Sequence, residues 1–202
     1  MPLQNRVTPL GELIAVADRG LVYGNRGCLH DEHKRIRRQF QVKRWIACRL
    51  EFRGRHRVAG PMPPGRYTGL FFLDEATAFA AGHRPCAECR REAYNRYCAI
   101  FGARADAIDA QLHEERMQRT HTAQLADLPD GAFVLEDGEP FLVLGDELLR
   151  WTPAGYTERR KRRTGSATLV TPPSTVRVLQ AGWESDLPLF HPSGGSISRS
   201  RG

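Results

Sequence analysis

The chain has 202 residues, of which 41% are hydrophobic and 26% are charged, and it carries a net charge of +7. These proportions are typical of a globular protein with one core, or with one core and a small satellite. They argue against a membrane-spanning protein, because no apolar run approaches the length of a span and residues 1–6 lack the apolar core of an export signal. We therefore expect a cytoplasmic protein with no membrane partner.

The N-terminal part predicts a small antiparallel sheet. Residues 12–17 are apolar enough for a buried strand, and residues 21–23 are expected to be its hairpin partner. β-favouring side chains recur over residues 40–52, which predicts one long strand, and residues 67–73 predict another. The sheet is expected to lead into a short helix that follows residue 74.

That short helix ends in a pair of cysteines. Asp74 is a candidate N-cap, and Gly82 is suited to the left-handed position that ends a helix. Pro85 stops the helix from continuing, and Cys86 and Cys89 then direct two thiols toward one centre. A Cys-x-x-Cys turn supplies half of a tetrahedral zinc site, so we expect a bound Zn²⁺. The odd total of five cysteines also favours metal ligands or free thiols over disulfides.

Two further zinc ligands must come from elsewhere in the chain. Cys28 and His30 follow a glycine-rich turn, where structural zinc sites often find ligands, and Cys48 lies in the predicted long strand. A buried Cys48 can equally be a small hydrophobic core residue. We predict a site formed by Cys28, Cys48, Cys86 and Cys89, with His30 as the first substitute.

The segment from residue 66 to 92 resembles the zinc-binding module of the Ada family of DNA-repair proteins. The resemblance lies in Phe71-Phe72 before a short helix and in the ending Ala-Ala-Gly-His-Arg-Pro-Cys-x-x-Cys, in which His83 replaces an aromatic residue. The family takes its first two ligands from an upstream Cys-x-x-x-Cys or His-x-x-x-Cys hairpin. In this chain Cys28 matches the second of them and Gly24 the first.

The resemblance implies a zinc fold and a DNA partner. It implies the zinc fold far more firmly than it implies repair, because the family's methyl-accepting cysteine belongs to the upstream pair, and that pair is incomplete here. Four thiolates would form a closed structural site without an open position for water.

The C-terminal part changes from helices to strands. Residues 90–101 and 105–119 each predict an amphipathic helix. Apolar segments at 132–135 and 141–144 flank an Asp-Gly turn and predict a β-hairpin.

Two more strands are predicted at 148–151 and 167–170, and a short helix at 173–181. The predicted fold is therefore α+β, with a zinc-containing portion (1–122), a β-rich portion (123–192) packed on it as one composite domain, and a disordered tail (193–202).

The positive charge is concentrated in two clusters, which predict contacts with nucleic-acid phosphates. The first contains Lys34, Arg35, Arg37, Arg38, Lys43, Arg44 and Arg55, and the second contains Arg159, Arg160, Lys161, Arg162 and Arg163. An ordinary solvated basic surface is the alternative for either cluster.

These features together predict a zinc-stabilised protein that binds nucleic acid without sequence preference, DNA rather than RNA, and that shows no evident catalysis. Three other hypotheses remain open. The first is a zinc-thiolate alkyl acceptor, and the second is a metal-dependent nuclease that uses His30, Asp31 and His33. The third is a protein-interaction adaptor with zinc as a staple.

Overall fold

The structure, a computed structural model, describes residues 1–56, 60, 62–118 and 121–195. The first half consists mainly of short strands. In chain order its elements are β1 (Gln4–Val7), β2 (Leu13–Ala15), β3 (Val22–Asn25), β4 (Ile46–Cys48), β5 (Glu51–Phe52), β6 (Arg55–His56), β7 (Leu70–Phe72), helix α1 (Glu75–Ala80) and β8 (Arg84–Pro85). The second half begins with two helices and continues as a sheet. Its elements are α2 (Arg91–Phe101), α3 (Ala105–Met117), β9 (His121–Gln124), β10 (Phe133–Glu136), β11 (Glu139–Leu144), β12 (Glu147–Thr152), β13 (Gly155–Lys161), β14 (Ser166–Leu169) and α4 (Pro173–Gln180).

Six strands form the first sheet, in the order β2-β1-β7-β3-β4-β8. The predicted hairpin between residues 12–17 and 21–23 is wrong, because β2 pairs with β1 while β3 lies between β7 and β4. Gly20, just before β3, lies directly against β7. A Cβ there would be 2.0 Å from the Phe72 carbonyl oxygen, so only glycine lets the chain pass this close to β7. The sheet is mixed, since β1–β7 and β4–β8 are parallel pairs.

The long strand predicted over residues 40–52 is also wrong. Only Ile46–Cys48 joins the sheet, and Glu51–Phe52 turns back to pair with β6. Residues 26–45 instead form a loop that folds on itself, with hydrogen bonds from the Gln41 amide to the Arg26 carbonyl (2.9 Å) and from the Arg37 amide to the Leu29 carbonyl (2.8 Å). We call residues 31–44 of this segment the basic loop.

Helix α1 has the ends that the sequence predicts. The Asp74 carboxylate accepts a hydrogen bond from the Thr77 amide (2.8 Å), and Gly82 follows the helix at φ +80°. A Cβ on Gly82 would also lie 2.4 Å from Cδ of Arg116, so the position requires glycine for two reasons.

The second sheet is antiparallel, in the order β13-β12-β11-β10-β14-β9. The predicted hairpin is confirmed, with Asp137 at φ +53° and Gly138 at φ +80° in its turn. The other predicted strands and the three predicted helices are present with slightly different ends. Strands β9 and β13 were not predicted, because their polar and charged residues lack the apolar runs that identify the other strands of this sheet.

Helix α1 joins the two sheets, which confirms an α+β fold. The Trp151 indole donates to the Thr77 hydroxyl (3.1 Å), and the Tyr156 hydroxyl donates to the Asp74 carboxylate (2.7 Å). The tail predicted over 193–202 begins too early, because Pro192–Gly194 forms a 3₁₀ turn, while residues 196–202 lie outside the described residues. None of the described helices is long and apolar enough to cross a membrane.

Candidate metal centre

Three buried cysteines meet at one edge of the first sheet. The Sγ atoms of Cys48, Cys86 and Cys89 all lie within 4.8 Å of one another. Cys48 is fully buried, and the other two residues are each 5% exposed. In the described ranges this is the one group of histidine, cysteine and acidic side chains arranged to hold a metal ion.

Strand pairing creates this cluster. Ala47 in β4 is the register partner of Pro85 in β8, and the Cys86 amide donates to the Ala47 carbonyl (2.9 Å). Cys48 is therefore brought beside Cys86 although the two residues are far apart in the sequence. The Glu88 amide points back at Cys86 Sγ (3.4 Å), a contact that favours sulfur in its negatively charged form.

The electrostatics of the triad also favour a thiolate. Hydrogen bonds from the Cys48 and Cys89 thiols lower the pKa of the Cys86 thiol well below its ordinary value. The hydrogen bond to Cys86 raises the pKa of Cys48. The pKa of the Cys89 thiol is also raised, so the three thiols favour a single thiolate, and a bound cation would have to displace the other two protons.

The arrangement fits a metal ion. A tetrahedral centre with metal–sulfur bonds of about 2.3 Å places its sulfur atoms about 3.8 Å apart, so a small contraction of the triad would be sufficient. Among the described residues, no fourth histidine, cysteine or acidic side chain belongs to this group.

Aromatic side chains line the other side of the cluster. Tyr23 is the register partner of Cys48, and its ring meets that of Phe71 edge to face at 5.5 Å. Phe52 packs against the same group. The sequence did not predict this aromatic wall. One signal was present: Phe52 follows Cys48 by four residues, so it occupies the position that the second cysteine has in a Cys-x-x-x-Cys pair.

Cys28 and His30, which the sequence analysis proposed as ligands, lie apart from the triad. The Cys28 thiol contacts the carbonyl oxygen of His30 at 3.7 Å. The His30 ring is hydrogen-bonded to the Thr68 hydroxyl (2.6 Å) and to the Pro63 carbonyl (3.2 Å). The structure therefore brings together three of the four predicted cysteines. Cys28 is excluded because it follows the end of β3 and enters the loop.

The acidic and histidine residues of the nuclease hypothesis do not converge either. His30 is buried in the contacts just described, whereas the side chain of His33 is 66% exposed. Asp31 accepts from the backbone amides of His33 and Arg35 and pairs with the Arg35 guanidinium (3.0 Å). The Asp31 carboxylate therefore stabilises a turn rather than a metal ion.

An open cavity of about 610 Å³ lies beside Cys89. Its charged lining is balanced, with four arginines and four carboxylates: Arg49, Arg53, Arg90, Arg91, Glu51, Glu88, Glu92 and Asp186. Arg90 is buried and paired with Glu75 and Asp186. The cavity therefore lacks the excess positive charge that a phosphate pocket needs.

The two basic clusters differ in their pairing. In the basic loop five side chains are exposed and have no ion pair with any described residue: Lys34, Arg37, Arg38, Lys43 and Arg44. Arg35 differs because it is paired with Asp31. Arg55 is the first residue of β6, and its side chain lies outside the described part of the chain.

The arginines of the second cluster are engaged. Arg159 pairs with Glu147 (2.6 Å), Arg160 with Asp137 (2.7 Å) and Arg163 with Glu136 (2.9 Å). Arg162 donates to the carbonyl oxygens of Leu125 and Leu128. Among its members Lys161 has no side-chain partner in the described structure, so most of this positive charge is neutralised locally.

No protein-family model matches the chain, and no curated protein or solved structure shows a significant match to it.

Proposed function

We propose that the protein is a zinc-stabilised nucleic-acid-binding protein, with Cys48, Cys86 and Cys89 as zinc ligands and the basic loop as the binding surface. The donor set supports zinc, because thiolates are its preferred ligands at structural sites. The position of the centre supports a structural role, because it links β4 to the turn after β8 while all three cysteines are buried.

The observation that carries nucleic-acid binding is the set of five exposed, unpaired cations in the basic loop. They lie within eleven consecutive residues, Lys34 to Arg44, on a loop whose backbone is ordered by internal hydrogen bonds. An ordered loop loses little conformational entropy on binding. Unpaired cations can release counterions from phosphates without first breaking ion pairs.

The basic loop is a better candidate for binding phosphates than the second cluster, whose arginines are already paired. A phosphate that approached Arg159, Arg160 or Arg163 would compete with a carboxylate that is already in contact. We therefore expect the second cluster to contribute little affinity, although its count of basic residues is similar.

The experiment compares two triple variants with the same change in charge. The first is Lys34→Gln/Arg37→Gln/Arg38→Gln, and the control is Arg159→Gln/Arg160→Gln/Arg163→Gln. Binding of labelled duplex and single-stranded DNA and RNA oligonucleotides is titrated across a range of salt concentrations. Each lost phosphate contact on duplex DNA should reduce the slope of log K against log salt by about 0.9. The loop variant should therefore lose about 2 to 3 units of slope, and the control should lose less than about 1 unit.

Two outcomes would contradict the proposal. One is a natural protein that binds no oligonucleotide more tightly than about 10⁻⁴ M, the weak limit of non-specific association. The other is an equal loss of affinity in both triple variants, which would indicate a diffuse basic surface. The first result would favour the adaptor hypothesis, and the second would remove the basic loop as the specific binding surface.

Burial argues against the alkyl-acceptor alternative. A methyl-accepting thiolate must reach a phosphotriester, but Cys48 is fully buried and the other two cysteines are nearly so. The cavity beside Cys89 has balanced charge and therefore lacks a site for the phosphate backbone. The metal centre consequently supports folding rather than chemistry in this proposal.

A further inference from the structure

A second cavity, of about 530 Å³, lies between the first sheet, helix α3 and the second sheet. Apolar groups form most of its wall. These include Leu10, Phe40, Leu135, Val170 and Pro172. A volume of this size accommodates a small organic ligand. The cavity does not include the three cysteines.

One wall of this cavity contains the fully buried side chain of Arg26. Its Nη1 donates to the Gly11 carbonyl (2.8 Å), and its Nε donates to Nε2 of His83 (3.2 Å). Its Nη2 is buried and has no hydrogen-bond partner among the described residues. An arginine remains protonated inside proteins, so this residue places an unsatisfied cationic donor at the cavity.

Arg116 adds a second guanidinium to the same wall. Its Nη1 and Nη2 donate to the carbonyls of Gly82 (2.7 Å) and Lys43 (2.9 Å), while its buried Nε has no partner. The guanidinium carbons of Arg26 and Arg116 lie 3.8 and 4.1 Å from the centroid of the Trp45 ring. The indole therefore partly compensates two cations that repel each other.

No carboxylate of the described residues forms an ion pair with Arg26 or Arg116, although the charges of Asp109 and Glu115 partly offset the burial that lowers the pKa of Arg116. Glu115 lines the cavity, but its two oxygens bind the hydroxyl and the amide of Ser174. Glu12 lies at the exposed side and forms no ion pair. A buried cation without a counterion is costly, and a ligand anion would remove that cost. The lowered pKa of Arg26, caused by burial and then by Arg116, points in the same direction.

We propose that this cavity binds a small organic anion, whose carboxylate or phosphate group contacts Arg26 and Arg116 and whose apolar body packs against Leu10, Phe40 and Pro172. Arginine suits this task because its planar donors match oxyanions. The site is separate from both the metal centre and the exposed cations of the basic loop, so it extends the proposed function.

Calorimetric titration with four probes tests the proposal on the full-length, zinc-loaded protein. Phenyl phosphate and benzoate combine an anion with an apolar ring, benzyl alcohol has the ring alone, and inorganic phosphate has the anion alone. We expect at least one of the two aromatic anions to bind at least tenfold more tightly than benzyl alcohol and inorganic phosphate. The same aromatic anion should raise the melting temperature, since a ligand that binds only the folded state stabilises it.

Surface variants keep the test independent of folding. Leu10 is 43% exposed and lines the cavity, so Leu10→Glu should fold and place a carboxylate at its mouth. The control is Val42→Glu, which makes the same charge change at a residue that is 36% exposed and does not line the cavity. The first variant should weaken the favoured aromatic anion at least tenfold, and the control should weaken it less than twofold. Arg116→Lys, which keeps the charge, should retain more affinity than Arg116→Met.

Three results would overturn the proposal. The first is the absence of binding by both aromatic anions at about 10 mM, which is weaker than any specific site. The second is binding of benzyl alcohol as tight as that of the anions, which would indicate a purely apolar cavity. The third is an equal effect of Leu10→Glu and Val42→Glu, which would assign the binding to the general positive charge of the protein.

Discussion

Replacing Cys48 by serine tests whether the metal centre stabilises the fold. Cys48 is fully buried in β4 and supplies one of only three grouped sulfur atoms. Its loss leaves the Cys-x-x-Cys pair, which cannot hold zinc tightly alone. A metal present at about 1,000 times its dissociation constant stabilises the folded state by about 4.1 kcal/mol. The buried serine hydroxyl, if left without a hydrogen-bond partner, adds about 1–3 kcal/mol to the loss of stability.

We therefore expect Cys48→Ser to lower the free energy of unfolding by about 5–7 kcal/mol in zinc-replete, reducing buffer. For a domain of this size, each 1 kcal/mol shifts the melting temperature by about 2–4 °C, so the total shift should exceed about 10 °C. The matched control is Cys28→Ser, the same chemical change at a half-buried cysteine outside the triad. It should cost less than about 1 kcal/mol and keep its metal.

The assay combines elemental analysis for zinc with urea and thermal unfolding, each with and without a strong chelator. The chelator should destabilise the natural protein and Cys28→Ser but leave Cys48→Ser almost unchanged. If Cys48→Ser has lost its zinc and still melts like the natural protein, the centre does not stabilise the fold. If the natural protein contains no zinc when prepared in zinc-replete, reducing medium, the ligand assignment is wrong.

Three further predictions concern pH, the contact between the sheets, and chemistry. Burial, with the nearby Arg26 charge, lowers the pKa of His83 well below its ordinary value of 6.5, so the folded state holds it neutral. Above pH 6.5 His83 is neutral in both the folded and the unfolded state, so it costs no stability. Below pH 6.5 the unfolded chain takes up the proton and the folded one does not, so the free energy of unfolding falls by about 1.4 kcal/mol per pH unit. His83→Gln, which keeps an acceptor for Arg26, should flatten the curve of unfolding free energy between pH 7 and 5, and an unchanged slope would refute this assignment. Tyr156→Phe should lower the free energy of unfolding in urea by about 1–3 kcal/mol, because it removes a hydrogen-bond donor from the buried Asp74 carboxylate. The control Tyr67→Phe, at an exposed position, should leave the free energy of unfolding almost unchanged. Equal losses in the two variants would contradict the role of this hydrogen bond. Incubation with DNA that carries methyl phosphotriesters should leave the mass of every cysteine peptide unchanged, and a stoichiometric gain of one methyl group on Cys28 or Cys48 would restore the repair hypothesis.

Two arginines illustrate how the fold uses charge inside the protein. Arg84 forms a bidentate pair with Asp109, with both distances at 2.8 Å, whereas Arg26 has no carboxylate partner. Both are almost fully buried. The first is a complete internal ion pair, and the second lines the proposed anion cavity. Burial alone therefore does not distinguish an arginine that stabilises the fold from one that is available to a ligand. What distinguishes them is whether a carboxylate of the protein already pairs with the guanidinium.

His83 shows why a departure from a familiar sequence pattern can carry information. The sequence suggested a minor replacement of an aromatic residue at this position. In the structure its Nε2 accepts a hydrogen bond from Arg26, and its ring lies 4.6 Å from that of Phe72 and 5.1 Å from that of Trp45. The histidine thus keeps the packing of an aromatic residue and adds an acceptor, which phenylalanine cannot supply.

The sequence by itself determined the features that depend on neighbouring residues. The N-cap at Asp74, the left-handed Gly82, the Asp137–Gly138 hairpin and the Cys86/Cys89 pair were all predictable. Each depends on local backbone preferences or on a short spacing, which a few consecutive residues specify completely.

Only the tertiary structure decided which distant residues meet. Cys28 and Cys48 were both predicted as ligands beside Cys86 and Cys89, and the parallel pairing of β4 with β8 places only Cys48 in the described cluster. The sequence around Arg159 predicts a phosphate-binding cluster. In the structure these arginines pair with carboxylates that the second sheet brings beside them. Register and strand order arise from the burial of whole sheet faces, so many residues determine them together. For this reason the closeness of Cys86 and Cys89 could be predicted from the sequence, whereas the meeting of Cys48 with them and the lack of a carboxylate beside Arg26 among the described residues required the fold.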